Sequence, residues 1–131
     1  SKTQTNMINT ENERNVPEEA AKKMVDAYAK ETFQYTPKSY SKAVWFPAEQ
    51  IISIAEKLKE KGGDGLRIYF AQYVSGQLDG VPTSYDGRNT VLLVPTYPKL
   101  EGTDGGGHED DPEDIENRGE LCPDKCEGVI L

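Results

Sequence analysis

Cys122 and Cys126 are the only cysteines in 131 residues, and they stand four apart in "GELCPDKC". In an extended chain the Cα atoms at that spacing lie about 13 Å apart, so the sulfurs meet only if the segment turns. The intervening residues favour a turn: Pro123 suits a first helical position, Asp124 its positive end, and Gly128 a termination. Three chemistries use thiols placed in this way. A metal such as zinc or iron could take Cys122, Cys126 and His108, the chain's single histidine, with a carboxylate from Glu109, Asp110, Asp111, Asp114 or Glu120. Structural zinc sites, however, pair two knuckles of close-spaced ligands, and here one knuckle faces a distant histidine. Thioredoxin-type exchange uses two residues between its cysteines, whereas this pair has three. A local disulfide, or two thiols packed beneath the terminal "VIL", is the leading reading.

The other chemical candidates are weaker. "DGGGHEDDPED" offers carboxylates on flexible backbone, yet it departs from the calcium-loop pattern D-x-[DN]-x-[DN]-G-x5-E. "GGDG" precedes a strand, where a phosphate loop would follow one, and it lacks the lysine and hydroxyl of that motif. A hydrolytic nucleophile needs a base within reach, and the sole histidine lies in the acidic loop. No catalytic residues are assigned. An Arg/Tyr-lined pocket acting on a small molecule is kept as an alternative.

One set of residues points to binding. Arg67, Tyr69 and Tyr73 recur at the two-residue period of a strand and so share a face. Arginine and tyrosine are enriched at interface hot spots, and a charge on a central strand needs a partner.

These side chains must be positioned by a small set of elements. "VPEEAAKKMVDAYAKETF" predicts a helix opening at Pro17, with acids in its first turn and Ala21, Met24, Val25 and Tyr28 as an apolar stripe. "AVWF" (43–46) reads as a short strand. Pro47 opens a second helix whose stripe is Ile51, Ile52, Ala55 and Leu58, ended by Gly62 in the left-handed cap position. "LRIYFAQYV" (66–74) is the clearest strand, with Leu66, Ile68 and Phe70 expected to face the core. "NTVLLVPT" (89–96) is continuously apolar, which implies burial on both faces, and Pro95 is expected to mark its end.

If 43–46 and 66–74 share a sheet, the helix between them is a right-handed crossover. The fold class expected is α+β: two helices on a three- to four-stranded mixed sheet, with a long irregular C-terminal segment. Residues 1–15 read as a polar tail, 16–131 as one domain, and 97–120 as a long acidic, glycine-rich loop.

Composition excludes whole classes of partner. Twenty-three acidic against fifteen basic side chains leave a formal charge of -8, which repels phosphate backbones and anionic surfaces. Nucleic acid is therefore an unsuitable partner. The longest apolar runs fall far short of the roughly 20 residues that span a bilayer. The opening residues show no apolar signal region, and two cysteines do not form a secreted disulfide framework, so cytoplasm is the expected location.

The ordered succession "GGDGLRIYFAQY", "NTVLLVPT" and "RGELCPDKC" resembles an uncharacterised group of small bacterial proteins. That group has a G-x-D-G-[IVL]-R-I-Y-F strand, an L-V-P-T strand and a C-terminal C-P-x-x-C pair. The resemblance covers about residues 43–126 and implies a compact domain without an assigned activity. The expected function is accordingly a non-enzymatic protein-binding or regulatory module. Its expected partner is another protein, or the same chain as a homo-oligomer.

Overall fold

The computed structural model describes residues 14–100 and 106–131. Its elements are α1 (Glu18–Tyr35), β1 (Ala43–Trp45), α2 (Ala48–Lys61), β2 (Gly65–Gln72), β3 (Asn89–Pro98), β4 (His108–Asp110) and β5 (Glu120–Cys122). Short 3-10 turns occupy Pro37–Ser39 and Thr83–Tyr85. The fold is α+β: two α-helices and two small antiparallel sheets, one of order β2-β3-β4 and one pairing β1 with β5. Most of the tail expected at 1–15 lies outside the described residues.

Both helices begin where proline permits. Pro17 and Pro47 sit in extended conformation immediately before α1 and α2, and Glu18, Glu19 and Glu49 supply negative charge to the first turns. Helix α2 closes on Gly62 at φ 72° and ψ 31°, a left-handed geometry that disfavours any side chain, while Lys59 and Lys61 complement its C-terminal dipole. Its buried residue is Ile54, with Leu58 partly covered, whereas Ile51 and Ile52 are exposed. The stripe is thus rotated from the one expected, and Ile52 points outward.

β3 is the centre of the larger sheet. It pairs with β2 from Gly65↔Thr96 to Gln72↔Asn89 and with β4 from Thr96↔Asp110 to Pro98↔His108. Leu93, Val94, Pro95 and Thr96 are all buried, so burial on both faces holds as the apolar run implied. Pro95 does not end the strand. It lies within it: the ring removes one donor from the ladder, while its carbonyl still accepts a 2.9 Å bond from the N–H of Asp111.

The crossover expectation fails. β1 joins β5, with Val44 opposite Leu121, and α2 links two sheets instead of two strands of one. A glycine makes the pairing fit: a Cβ on Gly119 would lie 2.4 Å from Val44 Cγ1 and 2.9 Å from the Trp45 carbonyl oxygen. β5 therefore approaches β1 as only a preceding glycine allows. Leu121, wholly buried, anchors the core at this point.

The segment read as one loop from 97 to 120 also carries structure. β4 extends the larger sheet, and Glu116 exchanges backbone bonds of 2.8 and 2.9 Å with Leu93. Lys57 and Lys61 of α2 meet Asp114, and Gln50 donates to Glu116 and to the Asn117 carbonyl. Of the acids in this segment, Asp114 pairs with α2 and Asp110 with Arg67 of β2.

Candidate functional site

On one face of the larger sheet, Arg67 and Tyr69 do not stand free. Arg67 Nη1 donates to Asp110 Oδ1 at 2.5 Å and to the His108 carbonyl at 3.2 Å, and the Tyr69 hydroxyl donates to Asp110 Oδ2. The hydrogen bond from Tyr69, then that from Arg67, holds the Asp110 carboxyl below its usual range against the opposing effect of desolvation. Beside it, Thr96 donates to Asp64 Oδ1 at 2.6 Å, and His108 Nδ1 lies 2.5 Å from Asp64 Oδ2. These contacts, Thr96 first and His108 second, likewise lower the Asp64 pKa. Since β2 and β4 flank β3, the cluster ties the two outer strands together. Arg67 Nη1, the Tyr69 hydroxyl and the Asp110 carboxylate are thus engaged within the chain.

Tyr73, expected on the same surface, is buried beyond the end of β2. Its hydroxyl donates to Asn117 Oδ1 at 2.6 Å, and its ring lies 5.5 Å from that of Tyr85. It belongs to the interior: past the end of β2 its backbone exchanges bonds with Gly87 and Arg88, which keeps the segment paired where the ring meets Tyr85 and Asn117.

The cysteines are joined to each other in a disulfide, with Cα atoms 4.9 Å apart. His108 lies in β4 on the other sheet, where it pairs with Asp64. Among the described residues no three His, Cys, Asp or Glu side chains converge as a metal site. The zinc or iron arrangement of Cys122, Cys126 and His108 is thus not assembled.

Two organising residues were not evident from sequence. Arg88, its side chain 11% exposed, donates through Nε to the Tyr40 carbonyl at 2.9 Å and through Nη2 to Ser41 and to the Pro123 carbonyl. It joins the turn after α1 to the disulfide loop. Asn117 donates to Val91 O and Thr90 Oγ1 while accepting from Tyr73. Neither belongs to a motif; each acts through partners 26 or more residues away.

The opposite face of the sheet carries the unexpected feature. Leu66, Ile68 and Phe70 were expected to be core, but Phe70 is 93% exposed and Ile68 52%. Cross-strand pairing sets them beside Pro95, Leu93 and Val91. Val44 of β1, Phe46 and Ile51 of α2 wall the space over this face, and Tyr28 of α1 borders it. The result is an open groove of about 990 Å³, lined along β2 and β3 by Leu66, Ile68, Phe70, Val91 and Leu93, in which Lys42 is the only charged lining residue among the described residues. Arg67 and the carboxylates lie on the other face, so the Arg/Tyr-lined pocket proposed for a small-molecule enzyme is not formed here.

No protein-family model, curated protein or solved structure significantly matches the chain. Among the described residues, no helix is long and apolar enough to cross a membrane.

Proposed function

We propose that this protein is a non-enzymatic protein-binding module that receives an amphipathic helical segment of a protein partner in the groove over β2 and β3. The observation that carries this reading is the exposure of Leu66, Ile68 and Phe70 on one strand face, continuous with a groove walled by Phe46 and Ile51. Contiguous exposed apolar surface rimmed by polar groups is characteristic of interaction sites, and helix-in-groove recognition uses this kind of floor. The Arg67 and Tyr69 face serves as an internal clamp on this reading, and the binding surface moves to the opposite side of the same strand.

The disulfide supports action in an oxidising compartment, where such bonds persist, over the cytoplasm. A photo-crosslinking amino acid in place of Phe70, activated in lysate of the source cells, tests the reading. The crosslinks should run to apolar residues spaced three and four apart in a protein chain. Crosslinks to lipid or small molecules alone, or none at all, would overturn it.

A further inference from the structure

Helix α1 presents the complement of the groove. Met24, Tyr28, Glu31 and Tyr35 stand at i, i+4, i+7 and i+11, which places them on one stripe. All four are exposed, Met24 by 64% and Tyr35 by 67%. The helix is anchored within its own chain near its C-terminal half: Phe33 and Tyr28 lie 4.5 and 5.9 Å from the Tyr40 ring, and Asn89 donates to the Tyr28 hydroxyl. The lengths agree, since eighteen helical residues span about 27 Å and the eight residues of β2 about the same.

We infer that the occupant of the groove is helix α1 of a second copy of this chain, exchanged reciprocally across a two-fold axis. This deepens the proposed function and rests on its reading of the groove. Tyr28 borders the groove of its own chain, so the helical stripe and the groove form one continuous patch. A patch containing both a knob and its hole is self-complementary, as a two-fold interface requires. Area supports the pairing. At about 180 Å² for a fully exposed large apolar side chain, Leu66, Ile68, Phe70 and Ile51, together with Met24, Tyr28 and Tyr35, expose about 700 Å² per chain, within the range each partner contributes to a standard stable interface. Charge agrees as well. Glu31 lies on the helical stripe, and Lys42 is the one charged side chain among the described residues of the groove, so docking sets unlike charges together.

Sedimentation equilibrium of the purified full chain over a wide concentration range tests the inference, alongside the variants Phe70→Asp, Met24→Asp, Glu31→Lys and Lys42→Glu. The native chain should dimerise. Phe70→Asp and Met24→Asp, each checked for native far-ultraviolet circular dichroism, should each raise the dimer dissociation constant by about thirtyfold or more, the range of a central anchor. Glu31→Lys and Lys42→Glu touch no apolar contact; each should weaken association, and the double variant should recover it. A crosslinker at position 70 in a mixture of isotopically light and heavy chains should join that site to residues 24–35 of the other copy.

A native chain that stays monomeric throughout overturns the inference. So does a dimer that survives Met24→Asp, or one crosslinked between two β2 strands. A monomer whose position 70 still crosslinks to a helical segment of a different protein in lysate defeats the second copy as occupant while leaving the proposed function standing. Absence of both self-association and protein crosslinks defeats the two together.

Discussion

At the scale of single residues, the carboxylates of the polar cluster make stability depend on pH. Asp64 and Asp110 have pKa values lowered in the folded chain by the hydrogen bonds they accept. A group lowered on folding binds fewer protons in the native than in the unfolded state near its pKa. Its stabilisation is therefore present above the unfolded value and lost as pH falls through the folded one. The midpoint of urea unfolding should decline as pH drops below about 4, the ordinary carboxylate range. Asp110→Asn should flatten that decline. An identical acid limb in the variant would show that Asp110 contributes nothing to it. The cysteines make a second residue-scale case. Replacing both by Ser removes a bond closing a loop of only a few residues, and the chain-entropy relation assigns such a loop about 2 kcal/mol. Chemical denaturation of the double variant should show a loss of that size.

Elements are held by contacts that cross large sequence separations. β1 and β5 are three residues each and too short to be stable alone. They depend on Gly119 for close approach and on Arg88 for the bonds that hold the disulfide loop against Tyr40 and Ser41. Gly119→Ala should cost about 1–3 kcal/mol, because the added methyl meets backbone as well as the Val44 side chain and the pair cannot separate without losing its ladder. Hydrogen exchange should show the loss concentrated at 43–45 and 120–122. Protection equal to that of the native chain at those amides would remove the steric account. The same elements mark the limit of sequence reading. The two helices, their proline starts and the Gly62 end follow from local chemistry and were legible. The partner of "AVWF" was not, since a three-residue strand carries too little pattern to select between β2 and a segment near the C-terminus.

For the whole molecule, apolar surface is divided unequally. Leu121 of β5 has no exposed surface, while Phe70 is almost fully exposed. Leu121→Ala should destabilise the chain by about 2–5 kcal/mol, as deletion of a fully buried leucine does. Phe70→Ser, measured where the chain is monomeric, should change stability by no more than about 0.5 kcal/mol, as at an ordinary surface site. Thermal and chemical unfolding of both variants check the contrast. A large loss for Phe70→Ser would mean that the side chain is covered within one chain, which would undercut the groove as a binding surface.

The order of residues by itself determined what depends on neighbours along the chain. Proline and glycine punctuation, charge order along the helices, the period of two in "LRIYFAQYV" and the unbroken apolar run of β3 each express local geometry. The apolar run at 91–94 also carried the information that β3 is central, because a strand covered on both sides does not alternate. Only the tertiary structure decided which side of β2 is inside. Alternation separates Leu66, Ile68 and Phe70 from Arg67 and Tyr69 but does not say what packs over either set, and here Ile68 and Phe70 are left exposed. Long-range packing likewise assigned Asp110 to Arg67 and Tyr69, drew Tyr73 inward to Asn117, and left His108 apart from the cysteines. The contacts made, Asp110 with Arg67 and Tyr69, Tyr73 with Asn117 and His108 with Asp64, each join residues more than forty positions apart, where topology and not local propensity sets the distance.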